Sequence, residues 1–279
     1  MRKNLGTFLR SRMLKEIIRR ALIEGHKALE DCVSRGLIGV EKRGSFGDYS
    51  HQFDVIVEKA IIDSLKNASE KIYIISEEIG EVKCENPELY ALIDPVDGSN
   101  NVAHGLPFNA SAIALARGPN ASDVVAAGVI DHSTGKIYLG DSEDVFTDGE
   151  RPKLKTDVPL SDALVFLDLA SLKKDRENSH NPTELSIRLA RKARHVRFFA
   201  AASLEIAYIL EGRGDAFVCF SRDLKLMDFL ASATLLKWAG GDYRILGGNE
   251  NPSLLDRGKY GIIAASSRKL LDEIIALIG

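Results

Sequence analysis

Apolar residues in the first part of the chain recur every three or four positions. Leu9, Met13, Leu14, Ile17, Ile18, Ala21 and Leu22, continued by Ala28, Leu29, Cys32 and Val33, form one stripe and predict a single long opening helix. Gly36 and Gly39 end it, and residues 41–48, reading EKRGSFGD, are expected to form a charged, glycine-containing loop. Phe53, Ile56, Val57, Ala60, Ile61 and Leu65 predict a second helix, with Asp54 and Glu58 four apart on another face. The period then shortens. Runs of β-branched residues over 71–76, 90–93, 111–116, 124–130 and 136–139 predict strands, and Asp148-Gly149 predicts a tight turn.

The more polar stretch 151–161 reads as a seam, dividing the chain into halves 1–155 and 156–279. The second half is expected to hold a strand at 163–168, helices at 183–193 and 203–211, a strand at 216–220, a helix after Asp228, and a final strand and helix. Strands alternating with helices in this way predict an α/β class built in layers.

Charge changes the picture by exclusion. Lys plus Arg number 37 against 40 Asp plus Glu, a formal net charge of -3, so the chain lacks the basic footprint of a general nucleic-acid binder. No run approaches the roughly 18 to 20 apolar residues of a membrane helix. Arg10, Arg12, Lys15, Arg19 and Arg20 interrupt any secretory apolar segment. Cys32, Cys84 and Cys219 are far apart and odd in number, which argues against a disulfide framework or a zinc site and favours a cytoplasmic location.

The candidate chemistry is acidic. In Ile93-Asp94-Pro95-Val96-Asp97-Gly98-Ser99 a strand ends in two aspartates three apart and meets a glycine, a hydroxyl and a helix start. Such a turn can bind a divalent cation and phosphate together, or it can be a capped turn. Ser76-Glu77-Glu78 follows the preceding strand, where it is either a second cluster or a solvated surface. Asp228, within Leu226-Met227-Asp228-Phe229-Leu230, is costly in an apolar run unless paired or metal-bound, although an N-cap also explains it.

Taken together, SEE, IDPVDGSNN and MDFLAS before WAGG resemble the inositol monophosphatase superfamily, with GDYSHQFD, NVAHGLPF and EGRGDAFV as further matches. The spacing from Asp215 to Asp228 is similar to that of the archaeal branch, whose members hydrolyse both inositol 1-phosphate and fructose 1,6-bisphosphate. The resemblance implies an α+β sugar-phosphatase fold, an alternating α-β-α-β-α sandwich of two halves, and a homodimer. It implies two or three Mg²⁺ per site, with Mn²⁺ as a substitute. Glu77, Asp94 and the Val96 carbonyl would hold one ion, and Asp94, Asp97 and Asp228 another. Ser99, Asp48 and Glu77 would orient or activate the attacking water, and the amides of Gly98 and Ser99 would bind phosphate. All the proposed side-chain ligands are hard oxygen donors, which suits these metals. Lys42 and Arg43 belong to the loop that covers the site in relatives.

The substrate pocket departs from the family pattern. Ala201 lacks the usual hydroxyl, Cys219 stands where an acid receives sugar hydroxyls, and Ser221 replaces an arginine common in the archaeal branch. Arg197, Arg222 and Lys225 remain as candidate anion contacts, the alternative for each being ordinary surface charge. The expected partner is a small phosphorylated polyol or sugar. The alternatives are a 3′-phosphoadenosine 5′-phosphate phosphatase and a noncatalytic regulatory module on the same fold. His104 is expected to be a packed or hydrogen-bonded residue near the chemistry and Trp238 a core residue, and no P-loop is present.

Overall fold

The computed structural model describes residues 5–43, 49–169 and 181–278, with backbone alone for 5–8, 40–43 and 49–50. Helix α1 (Leu5–Ser34) and helix α2 (Gln52–Lys66) lie against each other and cover one face of a large sheet. Their predicted stripes carry this packing: Leu14, Ile18, Leu22 and Leu29 from α1 and Phe53, Val57, Ile61 and Leu65 from α2 are all buried. A side chain at Gly25 would reach within 2.8 Å of Ile61, so the missing Cβ lets the two helices approach.

The large sheet has seven strands in the order β4-β3-β5-β6-β7-β8-β9. These are β3 (Ile72–Ser76), β4 (Gly80–Val82), β5 (Leu89–Asp97), β6 (Ala110–Ala116), β7 (Val124–Asp131), β8 (Ile137–Gly140) and β9 (Val145–Thr147). The turn after β9 has positive φ at both Asp148 and Gly149, as the dipeptide predicted. A second, five-stranded sheet has the order β11-β10-β12-β14-β13. It contains β10 (Leu164–Leu167), β11 (His195–Arg197), β12 (Ala216–Leu224), β13 (Asp242–Leu246) and β14 (Tyr260–Ala265).

Helices α5 (Ala202–Leu210) and α6 (Leu230–Trp238) fill the space between the sheets, and α4 (Pro182–Lys192) and α7 (Arg268–Ile275) close the outer face of the smaller one. The result is the α-β-α-β-α layering expected from the resemblance. α5 is buried along its whole length, because a helix sandwiched between two sheets has no solvent face.

Some elements differ from the sequence reading. The loop expected over 41–48 is in part a strand: β1 (Val40–Arg43) pairs antiparallel with β2 (Tyr49–His51). The three-residue strands β4, β9 and β11 are too short for a period to register. The single final strand is an antiparallel pair, β13 with β14. Among the described residues no helix is long and apolar enough to cross a membrane.

Candidate active site

The site is built where β5 leaves the large sheet. In a regular strand Asp94 and Asp97, three apart, would face opposite ways. Here Asp94 pairs with Ala112 and Asp97 with Ala110, so three steps on β5 match two on β6 and the Pro95-Val96 segment bulges. Cross-strand partners share a face, and Ala110 and Ala112 both lie in the central core, so the bulge turns both carboxylates toward α5 and α6. β3 runs parallel to β5 with Ser76 opposite Ile93, and the next residue of each strand is then Glu77 and Asp94. Asp228 arrives from the other sheet, in a single 3-10 turn (Leu226–Asp228) between β12 and α6.

Three of the four carboxylates are held by hydrogen bonds from the second half of the chain. Asp97 Oδ2 accepts the Leu204 N–H at 3.2 Å, an otherwise unsatisfied donor in the first turn of α5. Asp228 Oδ2 accepts the Lys225 N–H at 2.8 Å, and its backbone carbonyl accepts Ser203 Oγ at 2.8 Å. Glu77 Oε1 takes the Lys225 ammonium at 2.7 Å. The buried Glu58 carboxylate accepts the N–H groups of Glu78 at 3.0 Å and Ile79 at 3.1 Å, which fixes the turn bearing Glu77.

Burial, followed by the charges of Glu77, Asp97 and Asp228, raises the Asp94 pKa well above the usual carboxylate range. Asp97 is raised in the same way, by burial and then by Asp228. Asp228 is pushed up to about 7, by burial and then by Glu77. Among the described residues Lys225 is the cation bonded into this acidic group, and Asp94 Oδ1 is buried with no hydrogen-bond partner. Among the described residues no group of three or more His, Cys, Asp or Glu side chains stands ready to hold a metal ion. The donor set nonetheless fits one: carboxylates that repel each other, a buried oxygen without a donor, and no nitrogen or sulfur ligand favour a hard divalent cation.

Gly98 starts the short helix α3 (Ser99–Ala103) with φ of 81°, and a Cβ there would fall 2.5 Å from the Phe108 carbonyl. Ser99 Oγ lies 2.8 Å from Asp54 Oδ1 and 2.7 Å from the Val96 carbonyl. One hydroxyl proton serves one acceptor at a time. Burial pushes Asp54 up to about 7, and once protonated Asp54 donates to Ser99 while Ser99 donates to Val96.

Asp54 and Glu58 are the residues that the sequence reading left without a role. Their signal was their shared face on α2, which is buried (2% and 4% exposed) although it is not apolar. Asp48 lies outside the described residues, as do the side chains of Lys42 and Arg43. Among the substrate candidates, Ala201 is buried at the start of α5, and Arg197 is exposed with Nη1 on the Val196 carbonyl at 2.8 Å. Cys219 is fully buried 3.3 Å from Ser221 Oγ, and burial pushes its thiol up to about 12, so it stays uncharged. Lys225 meets Glu77 in the acidic cluster. His104 is exposed with its ring on the Asn100 carbonyl, and Trp238 is half-buried against the central core.

A model of the inositol monophosphatase family matches residues 11–279. The chain is 26% identical over 256 residues to the fructose-1,6-bisphosphatase/inositol-1-monophosphatase of Methanothermobacter thermautotrophicus, covering 86% of this chain and 89% of that one. It is also 26% identical over 279 residues to the bifunctional NADP phosphatase/NAD kinase of Methanococcus maripaludis, covering 91% of this chain but 48% of that protein. The crystal structure of extragenic suppressor protein suhB from Bartonella henselae shares the fold, with a TM-score of 0.79 at 24% identity, covering 96% of this chain and 98% of that one.

Proposed function

The chain belongs to the inositol monophosphatase family of phosphatases, and from that premise we propose that it is a Mg²⁺-dependent phosphomonoesterase acting on inositol 1-phosphate, fructose 1,6-bisphosphate or a related phosphorylated polyol. One observation carries the reading: carboxylates from three separate segments act on one another at the end of β5, where Asp94 Oδ1 has no donor. Glu77, Asp94, the Val96 carbonyl, Asp97 and Asp228 would hold the ions, with Mn²⁺ as a substitute. Held there, the ions would supply a lowered pKa for the attacking water and countercharge for the leaving oxygen.

The chain's own groups do the rest. Ser99, fixed by Asp54, would orient that water, in a role shared with Asp48 and Glu77. The amides of Gly98 and Ser99 would receive phosphate oxygens. Exposed Arg197 would supply positive charge for the substrate, while the Lys225 ammonium is held by Glu77. Ala201 and Cys219, both fully buried, offer no hydroxyl or carboxylate to its organic part, which relaxes discrimination among polyols without touching the hydrolytic machinery.

The test is phosphate release from inositol 1-phosphate, fructose 1,6-bisphosphate, NADP and 3′-phosphoadenosine 5′-phosphate, each with Mg²⁺ and with EDTA. Metal-dependent release from the first two is expected, and Asp94→Asn should lower kcat/KM at least about a hundredfold, as loss of a principal charge-stabilising group does. A nucleotide reading is favoured by the similarity to the Methanococcus maripaludis protein, and release from NADP or 3′-phosphoadenosine 5′-phosphate alone would establish it. Turnover unaffected by EDTA, or full activity in Asp94→Asn, would sink the metal-dependent mechanism.

A further inference from the structure

Lys225 is only 6% exposed, yet it carries a formal charge into the cluster formed by Glu77, Asp94, Asp97 and Asp228. Its two ends are both engaged there. The backbone N–H donates to Asp228 Oδ2 at 2.8 Å, and Nζ donates to Glu77 Oε1 at 2.7 Å, 148 residues away in the chain. The same ammonium acts by its charge on Asp94 and Asp228, holding both below the range where burial alone would put them. Lys225 thus touches or polarises three of the four acidic side chains, from a position at the start of the turn that carries Asp228.

An ammonium and a divalent cation compete for the same carboxylate oxygens. Glu77 Oε1 cannot keep a 2.7 Å bond to Nζ and also give its full charge to a metal. Among the described residues no three acidic side chains are grouped as a ready-made metal site, which agrees with Nζ occupying Glu77. We infer that Lys225 is a resident countercation: it neutralises the acidic cluster in the metal-free fold, contests Glu77 with the incoming ion, and so sets how much metal the protein needs. The inference rests on reading the cluster as the metal site. Lys225 acts through Glu77 and is a positioning residue for the ion.

The experiment is Mn²⁺ binding to the metal-stripped full chain at pH 8, by calorimetry and by loss of the free-ion EPR signal, with thermal unfolding in EDTA alongside. Removing a positive charge a few ångströms from a divalent ion should tighten binding, so Lys225→Met is expected to lower the Mn²⁺ Kd about tenfold or more. The same variant should unfold at lower temperature in EDTA, because Glu77 loses its partner, and regain wild-type stability at saturating Mn²⁺. Lys225→Arg, which keeps the charge, should stay within about threefold of wild type in Kd. On the unaltered protein, acetylation of Lys225 followed by mass spectrometry should rise at saturating Mn²⁺ as Nζ leaves Glu77. That readout holds even where Lys225→Met fails to fold.

Equal or weaker Mn²⁺ binding in a folded Lys225→Met, or metal-independent labelling of Lys225, would overturn the countercation role while leaving the metal site standing. No Mn²⁺ binding to the wild-type chain would overturn the metal-site reading, and this inference with it.

Discussion

On α2, Asp54 and Glu58 lie one turn apart, and both are buried in a helix whose apolar stripe had seemed to account for its inward face. The ordinary carboxyl pKa of Asp54, 3.8, applies to the unfolded chain, while burial raises it to about 7 in the fold. Between those values the folded chain holds a proton that the unfolded chain has lost. The contribution to stability is therefore complete below about pH 4 and disappears as pH rises through about 7. Asp228, also at about 7, and Asp94 and Asp97, raised in the same direction, act with the same sign. The metal-free protein is expected to lose Tm steadily from pH 5 to pH 8, and Asp54→Asn should make that slope shallower. Thermal unfolding in EDTA across that range checks it, and an unchanged slope in the variant would remove Asp54 from the explanation.

Elements place what residues alone cannot. The β5 bulge puts Asp94 and Asp97 on one face, and the parallel β3-β5 register brings Glu77 alongside. The turn after β3 owes its shape to Glu58, whose two oxygens take the amides of Glu78 and Ile79. Hydrogen bonds to a charged acceptor are worth roughly 1.5–3 kcal/mol each, and a neutral amide keeps only part of that. Glu58→Gln should therefore leave the helix intact but loosen the aim of Glu77. A Mg²⁺ titration of phosphate release should show half-activation at about three- to tenfold higher Mg²⁺ with a smaller loss in kcat. An equal fall in kcat at unchanged Mg²⁺ requirement would mean that Glu58 acts elsewhere.

At the scale of the whole molecule, the site ties the two sheets together. Asp97 of the large sheet meets the first turn of α5, and Asn101 Nδ2 donates to the carbonyls of Phe108 at 2.7 Å and Phe199 at 2.6 Å, on either side of the junction. An ion held by Asp94, Asp97 and Asp228 would therefore stabilise the folded chain as a unit. Mg²⁺ at a hundred times its Kd should add about 2.7 kcal/mol, seen by calorimetry as an upward shift of one transition. Asp94→Asn should abolish the shift, and its persistence there would place the stabilising ion elsewhere.

The long helices, most of the longer strands and the acidic motifs were legible in the chain itself, because helical period, strand period and a contiguous IDPVDGSNN segment are local properties that need no partner. The three-residue strands β4, β9 and β11 were not, since they exist only through pairing with a neighbour. Tertiary structure alone decided the shared face of Asp94 and Asp97, the burial of Asp54 and Glu58, and the meeting of Lys225 with Glu77. Each depends on register or packing between segments distant in sequence, where the period of one element carries no information about what lies opposite it.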